Sequence, residues 1–359
     1  MHLSRAVTAA LLAGSLGLSL AACSADDSGE GQTTSSAASN GTGDNGNAES
    51  TEQFPVTIPN AFGETTIEKA PERVASVGWA NHEVPLALGV VPVGMSKTTW
   101  GDDDDNGVLP WTEDKFKELG AQTPVLFDET DGIPYEQVAD TKPDVILASY
   151  SGITKEDYDT LSKIAPVVAY PELPWETSLE DMIKLNSQAI GKQAEGEQLI
   201  ADLNDQTEQA LQKYPNLEGK KVLFTAFGGG TDNSKIGFYT TGDPRMGFLA
   251  DHGMGVPKIV EESSRTSDQF WVEVSAEKPE DFQDVDLIVA YSSGNAADDQ
   301  KMIEELQKDP LKSKIPAVEK GNVAFLDDGP LGASANQSPL SIPWGIDRYF
   351  AALNEGLKA

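Results

Sequence analysis

Residues 178–214, SLEDMIKLNSQAIGKQAEGEQLIADLNDQTEQALQKY, hold the longest helical pattern in the chain and lie near its middle. Leu179, Met182, Ile183 and Ile190 mark one apolar face. Beyond Gly191 the face resumes as Leu199, Ile200, Leu203, Ala210, Leu211 and Tyr214, spaced by Glu, Asp and Gln. Pro215 closes the run. The second segment, about 22 residues at 1.5 Å each, predicts a rod of roughly 33 Å. On either side, short β-rich runs alternate with short helical ones, the pattern of parallel α/β architecture. The helix reads either as a strut between two α/β lobes or as a surface helix of one large domain.

An internal repeat favours two lobes. Asp144-Val145-Ile146-Leu147-Ala148-Ser149-Tyr150-Ser151-Gly152 in the first half is echoed by Asp286-Leu287-Ile288-Val289-Ala290-Tyr291-Ser292-Ser293-Gly294 in the second. A short helix carrying Glu136 precedes the first copy, and Glu277 stands at a similar place before the other. Two buried strands ending in similar Tyr/Ser/Gly loops imply two lobes presenting those loops to a shared cleft. The expected fold is α/β: two lobes, each with a mainly parallel central sheet flanked by helices, joined by one long α-helix. The expected boundaries are 53–190, 191–215 for the linker helix, and 216–359.

The chain has 359 residues, with 58 Asp plus Glu against 26 Lys plus Arg and a formal charge of −32. Such a surface argues against nucleic acid. Residues 1–22 have Arg5, then an apolar stretch and a small-residue end, which reads as a secretory signal. Leu20-Ala21-Ala22-Cys23 resembles a bacterial lipobox, and by that resemblance Cys23, the only cysteine, is lipidated. With one cysteine there is no internal disulfide and no cysteine zinc cage. Residues 24–52 are too polar to bury a core and read as a disordered tether.

Chemistry is sparse. GxSxG and HExxH are absent, and past the signal only His82 and His252 remain, in opposite halves. His252 follows a predicted helix, where it caps carbonyls. Gly228-Gly229-Gly230 is not a phosphate loop, because GxxxxGK[ST] is missing. The run Asp102 to Asp105 reads as a solvated acidic loop, without the spaced ligands and terminal Glu of a calcium loop. An enzyme therefore has no constellation to rest on. Aromatic side chains at predicted strand ends and loops are plentiful: Trp79, Trp100, Trp111, Tyr150, Trp175, Phe227, Tyr239, Trp271 and Tyr291. With Asn81 and His82 beside Trp79, they suit a cleft for a bulky, partly apolar ligand.

Several stretches occur in an order that resembles one family: Pro71-Glu72-Arg73-Val74; Leu86-Ala87-Leu88-Gly89 with Pro92-Val93-Gly94; Lys142-Pro143-Asp144-Val145-Ile146; Ile164-Ala165-Pro166-Val167; Trp175 with Ser178-Leu179; and Ile315-Pro316-Ala317-Val318. Over about residues 53–355 the chain resembles the substrate-binding lipoproteins of iron-siderophore ABC importers, in the helical-backbone group that also holds cobalamin and haem binders. The resemblance implies a monomer, lipid-anchored at the outer face of the cell membrane. It would capture a ferric siderophore and pass it to a permease driven by an ATPase, with no cofactor and no bond broken. It also implies that Glu136 and Glu277 dock onto the permease and that Arg245 faces the siderophore's oxygens. The expected ligand wall is Trp79, Asn81, Trp100, Tyr150, Tyr239, Arg245, Trp271 and Tyr291, with no direct metal ligand. Family members that take catecholates use several arginines; here the loops carry Tyr and Ser, which favours a ferric hydroxamate. The alternatives are cobalamin or haem with His82 as ligand, and a non-transport surface protein or enzyme on the same fold.

Overall fold

The computed structural model describes residues 54–225 and 234–358. The expectations for the signal, Cys23, the tether before Phe54, Phe227 and Gly228-Gly229-Gly230 fall outside them. In the first lobe, β1 (Val56–Asn60) and β2 (Gly63–Ile67) form the opening hairpin. Then come β3 (Val74–Ser76), α1 (Glu83–Ala87), β4 (Gly94–Ser96), α2 (Pro110–Glu118), β5 (Val125–Phe127), α3 (Tyr135–Asp140), β6 (Val145–Ala148), α4 (Lys155–Leu161), β7 (Val167–Ala169) and α5 (Leu179–Ala189). After α6 (Gln193–Leu211), the second lobe holds β8 (Val222–Phe224), β9 (Lys235–Tyr239), α7 (Pro244–Asp251), α8 (Lys258–Thr266), β10 (Trp271–Ser275) and β11 (Leu287–Tyr291). It ends with α9 (Ala296–Lys308), α10 (Pro316–Lys320), β12 (Val323–Leu326), α11 (Pro330–Ala333) and α12 (Ser341–Gly356).

The first sheet runs β5-β4-β3-β6-β7 and the second β12-β11-β8, every pair parallel. The repeat is structural. Val74 pairs Val145 as Val222 pairs Leu287, and Ile146 pairs Val167 as Ile288 pairs Val323. The repeated aspartates do the same work: Asp144 accepts from the N–H of Arg73 at 3.2 Å, and Asp286 from that of Lys221 at 3.0 Å. Each carboxylate thus tethers the chain entering the neighbouring strand. Strand order reverses between β3 and β6, which opens a crevice at their carboxyl ends.

The central helix breaks where the glycine predicts. Gly191 takes φ +70 after α5, a backbone region that side chains disfavour, and lies against Phe54. Helix α6 has 19 residues, so it is about 28 Å long, shorter than expected. At Gly196 an added Cβ would sit 2.1 Å from Ser187 Oγ, so the glycine lets α5 and α6 approach closely. Nor is α6 the only bridge. Helix α12 packs along it, while Leu340 and Trp344 join a first-lobe cluster of Leu86, Met95, Trp111 and Phe116. One buried cluster also runs from Val84, Met182 and Ile183 to Phe224, Ile288 and Phe350, so the core is continuous through both lobes.

Three local expectations need correction. Gly89-Val90-Val91-Pro92-Val93-Gly94, whose apolar run reads as a strand, is a loop leading into β4, because Gly89 turns at φ +80 and Pro92 has no N–H to pair. Residues 97–114 read from the sequence as one continuous loop around the Asp run, but their last residues begin α2, whose first residue is Pro110. Glu277 lies in a turn after β10, not on a helix like Glu136.

Candidate functional site

The carboxyl ends of the first sheet and the facing loops of the second lobe enclose a cleft with two adjoining compartments, of about 460 and 390 Å³. Both lie in the size range of small-molecule sites. Trp79, Arg245 and Asn336 line both and so mark their junction. Every strand of the first sheet supplies the larger compartment: Trp79 and His82 beyond β3, Thr98 beyond β4, Glu129 beyond β5, Tyr150 beyond β6 and Trp175 beyond β7.

Among the described residues, Arg245 is the one arginine on these walls. It is placed by the start of α7, where the buried Asp243 caps the helix by accepting from the Arg245 N–H at 2.9 Å. The guanidinium Nε is 3.2 Å from the same carboxylate, within ion-pair range but off-line for a hydrogen bond. Its carbon lies 4.1 Å from the centre of the Tyr239 ring, a cation–π contact. Burial works against the guanidinium charge, but Asp243 and the phenols of Tyr291, Tyr150 and Tyr239 outweigh it and hold its pKa above the ordinary value. Burial pushes Asp243 up to about 6, with Arg245 pulling the other way. A fixed positive charge amid phenols is therefore the main polar feature of the cleft.

The aromatic walls are built as a ladder. Trp100 meets Tyr291 at 5.3 Å, Tyr291 meets Phe224 at 5.7 Å, Phe224 meets Tyr239 at 5.5 Å and Tyr239 meets Trp271 at 4.8 Å. Across the cleft, Tyr150 packs edge-on against Trp175 at 5.5 Å, and its hydroxyl accepts from Asn336 Nδ2 at 2.9 Å. Gly152 makes room: a Cβ there would lie 2.2 Å from Trp175 Nε1. Burial raises the phenols of Tyr150 and Tyr291 above their usual range, so both stay neutral donors.

Six of the eight expected ligand residues, Trp79, Trp100, Tyr150, Tyr239, Arg245 and Tyr291, stand on these walls. The other two do not. Asn81 is fully buried. Its Nδ2 donates to the carbonyls of Val77 at 2.8 Å and Tyr150 at 2.9 Å, while its Oδ1 accepts from Ser149, Tyr150 N–H and Asn186. It ties the β3 and β6 loops together from behind. Trp271 backs Tyr239 and fills the space left by Gly237. Trp111 is likewise buried and donates to Glu83 at 2.7 Å. His252 caps the Phe248 carbonyl at 2.9 Å, as its helix-end position suggests.

The sequence reading missed Glu129, Lys97, Phe270 and Asn336 on the walls. Glu129 accepts from Ser96 Oγ at 2.5 Å and from Gly78 N–H at 3.1 Å, and burial raises its pKa against both bonds. The strand-end rule that found Trp79 applies equally to Glu129. Asn336 arrives from 186 residues beyond Tyr150 and has no local signal. His82 is almost fully buried, with Nδ1 unpartnered, and burial lowers its pKa to about 4.

No helix of the described residues is long and apolar enough to cross a membrane. Comparison with known proteins agrees with the architecture. The structure of PiaA from Streptococcus pneumoniae TIGR4 in complex with ferrichrome matches at a TM-score of 0.78 and 46% identity, covering 84% of this chain and 99% of that one. A periplasmic solute-binding protein from Mycobacterium smegmatis matches at a TM-score of 0.65 and 28% identity, over 84% of this chain and 99% of that one. The probable siderophore-binding lipoprotein YfiY of Bacillus subtilis is 27% identical over 277 residues, 76% of this chain and 80% of its own length. A family profile described as periplasmic binding protein matches residues 74–330. The chain belongs to the periplasmic binding protein family.

Proposed function

We propose that this protein captures a ferric siderophore, a hydroxamate by preference, in the cleft between its lobes and delivers it to an ABC permease for iron uptake. The observation that carries this reading is the lone Arg245 set among Tyr150, Tyr239 and Tyr291 on an aromatic wall. A guanidinium and neutral phenols donate hydrogen bonds to the oxygens that hold the iron, and the rings cover the ligand's carbon frame. Among the described residues the charged side chains of the walls balance, Lys97 and Arg245 against Glu129 and Asp328. That balance suits a ferric trihydroxamate, which is neutral, better than a ferric tris-catecholate, which carries three negative charges. The ferrichrome bound by the 46%-identical PiaA is a ligand of the favoured type.

In this reading residues 1–22 direct export, Cys23 carries the lipid anchor, residues 24–52 are the tether and the protein acts as a monomer outside the cell. Residues 53–190 and 216–359 serve as the two capture lobes about the 191–215 connector. Glu136 and Glu277, both exposed, are the permease contacts. Capture makes and breaks no bond.

Tryptophan fluorescence titrated with ferrichrome, a ferric tris-catecholate, haem and cobalamin tests the proposal. Ferrichrome should bind tightest. Arg245→Met should weaken it by roughly 10- to 100-fold, the loss of a charged hydrogen-bond donor. Tight binding to the catecholate alone would overturn the hydroxamate preference, and preferred binding of haem through His82 would overturn the siderophore reading.

A further inference from the structure

The acidic loop before α2 has a register that the Asp run by itself conceals. Counted from Asp102, the segment Asp102-Asp103-Asp104-Asp105-Asn106-Gly107-Val108-Leu109-Pro110-Trp111-Thr112-Glu113 places Asp at positions one and three, Asn at five, Gly at six and Glu at twelve. This is the D-x-[DN]-x-[DN]-G-x5-E pattern of a twelve-residue calcium loop. The expectation of a merely solvated run missed it, because the terminal Glu lies eight residues beyond the last Asp.

We propose that residues 102–113 form a calcium-binding loop, with Asp102, Asp104, Asn106 and Glu113 as side-chain ligands and the Val108 carbonyl as the backbone ligand. A run of acids alone is ordinarily a solvated surface, and it is the register that sets this one apart. The pattern demands a glycine at six, a backbone carbonyl at seven and a carboxylate at twelve. The tertiary structure meets the first and last of those demands independently of the count. Gly107 takes φ +85, and a Cβ there would also strike Lys97 Cγ at 2.7 Å. Helix α2 starts at Pro110, which puts Glu113 in its first turn. That turn brings Glu113 Oε1 to 2.6 Å from Asn106 Nδ2, so the loop's fifth and twelfth side chains already meet. Carboxylate oxygens of Asp102, Asp103 and Asp104 lie within 4.8 Å of one another, and this is the one potential metal-holding group of His, Cys, Asp and Glu among the described residues. Lys117 Nζ, 3.5 Å from Glu113 Oε2, is the competing cation.

The loop forms the base of the arm that carries Trp100 to Tyr291 of the second lobe. Gly107 accepts from Thr98 N–H at 2.9 Å through its carbonyl, so a cation closing the loop also holds the strand-end residues of the cleft wall. Calcium loops of extracellular modules bind at about 10⁻⁴–10⁻³ M, the range that such a site would use.

Calorimetric titration of Ca²⁺ into the EDTA-stripped full chain tests the proposal, and its readout does not depend on any siderophore. One saturable site with Kd about 10⁻⁴–10⁻³ M is expected, with Mg²⁺ binding more weakly. Glu113→Gln and, separately, the exposed Asp104→Ala should each weaken Ca²⁺ by ~10-fold or more, while far-UV circular dichroism in EDTA stays that of the wild type. Absence of saturable heat up to about 10 mM, an order of magnitude above that range, would overturn the proposal. So would equal heats from Mg²⁺, or unchanged Ca²⁺ binding by both variants, since each marks diffuse screening of the −32 charge.

Discussion

Glu83→Gln should remove a pH-dependent share of stability that the fold assigns to one carboxyl group. Glu83 opens α1 and is fully buried. It accepts from Trp111 Nε1–H at 2.7 Å, from Leu340 N–H at 3.1 Å and from the Ser338 hydroxyl, and so joins the first lobe to the segment before α12. Burial pushes its pKa from 4.5 up to about 7, against the opposing pull of Ser338, Trp111 and Leu340. The folded state therefore holds this proton more tightly than the unfolded chain. The group's stabilising contribution is complete below pH 4.5 and is lost as the pH rises through 7. At about 1.4 kcal/mol per pH unit the whole interval is worth roughly 3 kcal/mol, most of which falls between pH 5 and pH 8. The substituted amide cannot titrate, and one end of it must present N–H to a donor, either Trp111 or Leu340. Urea unfolding of both proteins at the two pH values gives the test. The stability advantage of wild type over variant should shrink by roughly 2 to 3 kcal/mol from pH 5 to pH 8. Asp243, raised to about 6, and His82, lowered to about 4, titrate in both proteins and cancel in the difference. A difference that stays flat with pH would refute the assignment.

Two further outcomes rest on the geometry. Asn81→Ala strips five hydrogen bonds from a fully buried knot and should cost about 3 kcal/mol or more in chemical denaturation; a loss below ~1 kcal/mol would show that the β3 and β6 loops are held by other contacts. The pair Glu136→Lys and Glu277→Lys alters exposed side chains only, so ligand affinity should stay within error while uptake by whole cells falls; normal uptake would remove these residues from the proposed docking surface.

Much of the architecture is encoded locally. The apolar runs of β6 and β11 are buried on every residue from Val145 to Ala148 and from Leu287 to Ala290, as parallel strands covered on both faces must be. Ser178 caps α5 by accepting from Asp181 N–H, and Gly191 ends it, so that helix is delimited by its own sequence. The calcium-type register at 102–113 is equally local, since every residue it needs lies within twelve positions. The antiparallel pair of β9 with β10 was not visible, because residues 240–270, which hold α7 and α8, separate the two strands in the chain.

The central helix was thus readable from periodicity alone, and tertiary structure decided what it does. An apolar face at three- and four-residue steps specifies a helix because helical geometry places those residues on one side. It does not specify the partner. That α12 shares the bridge, that Asn81 and Trp271 turn away from the cleft, and that Asn336 reaches Tyr150 all depend on contacts between residues far apart in the chain. Side-chain type states what a residue can do in a site. Only the packing of the two sheets around one continuous core places Trp79, Tyr150, Tyr239, Arg245 and Tyr291 together, since the space each side chain faces is made by the other lobe.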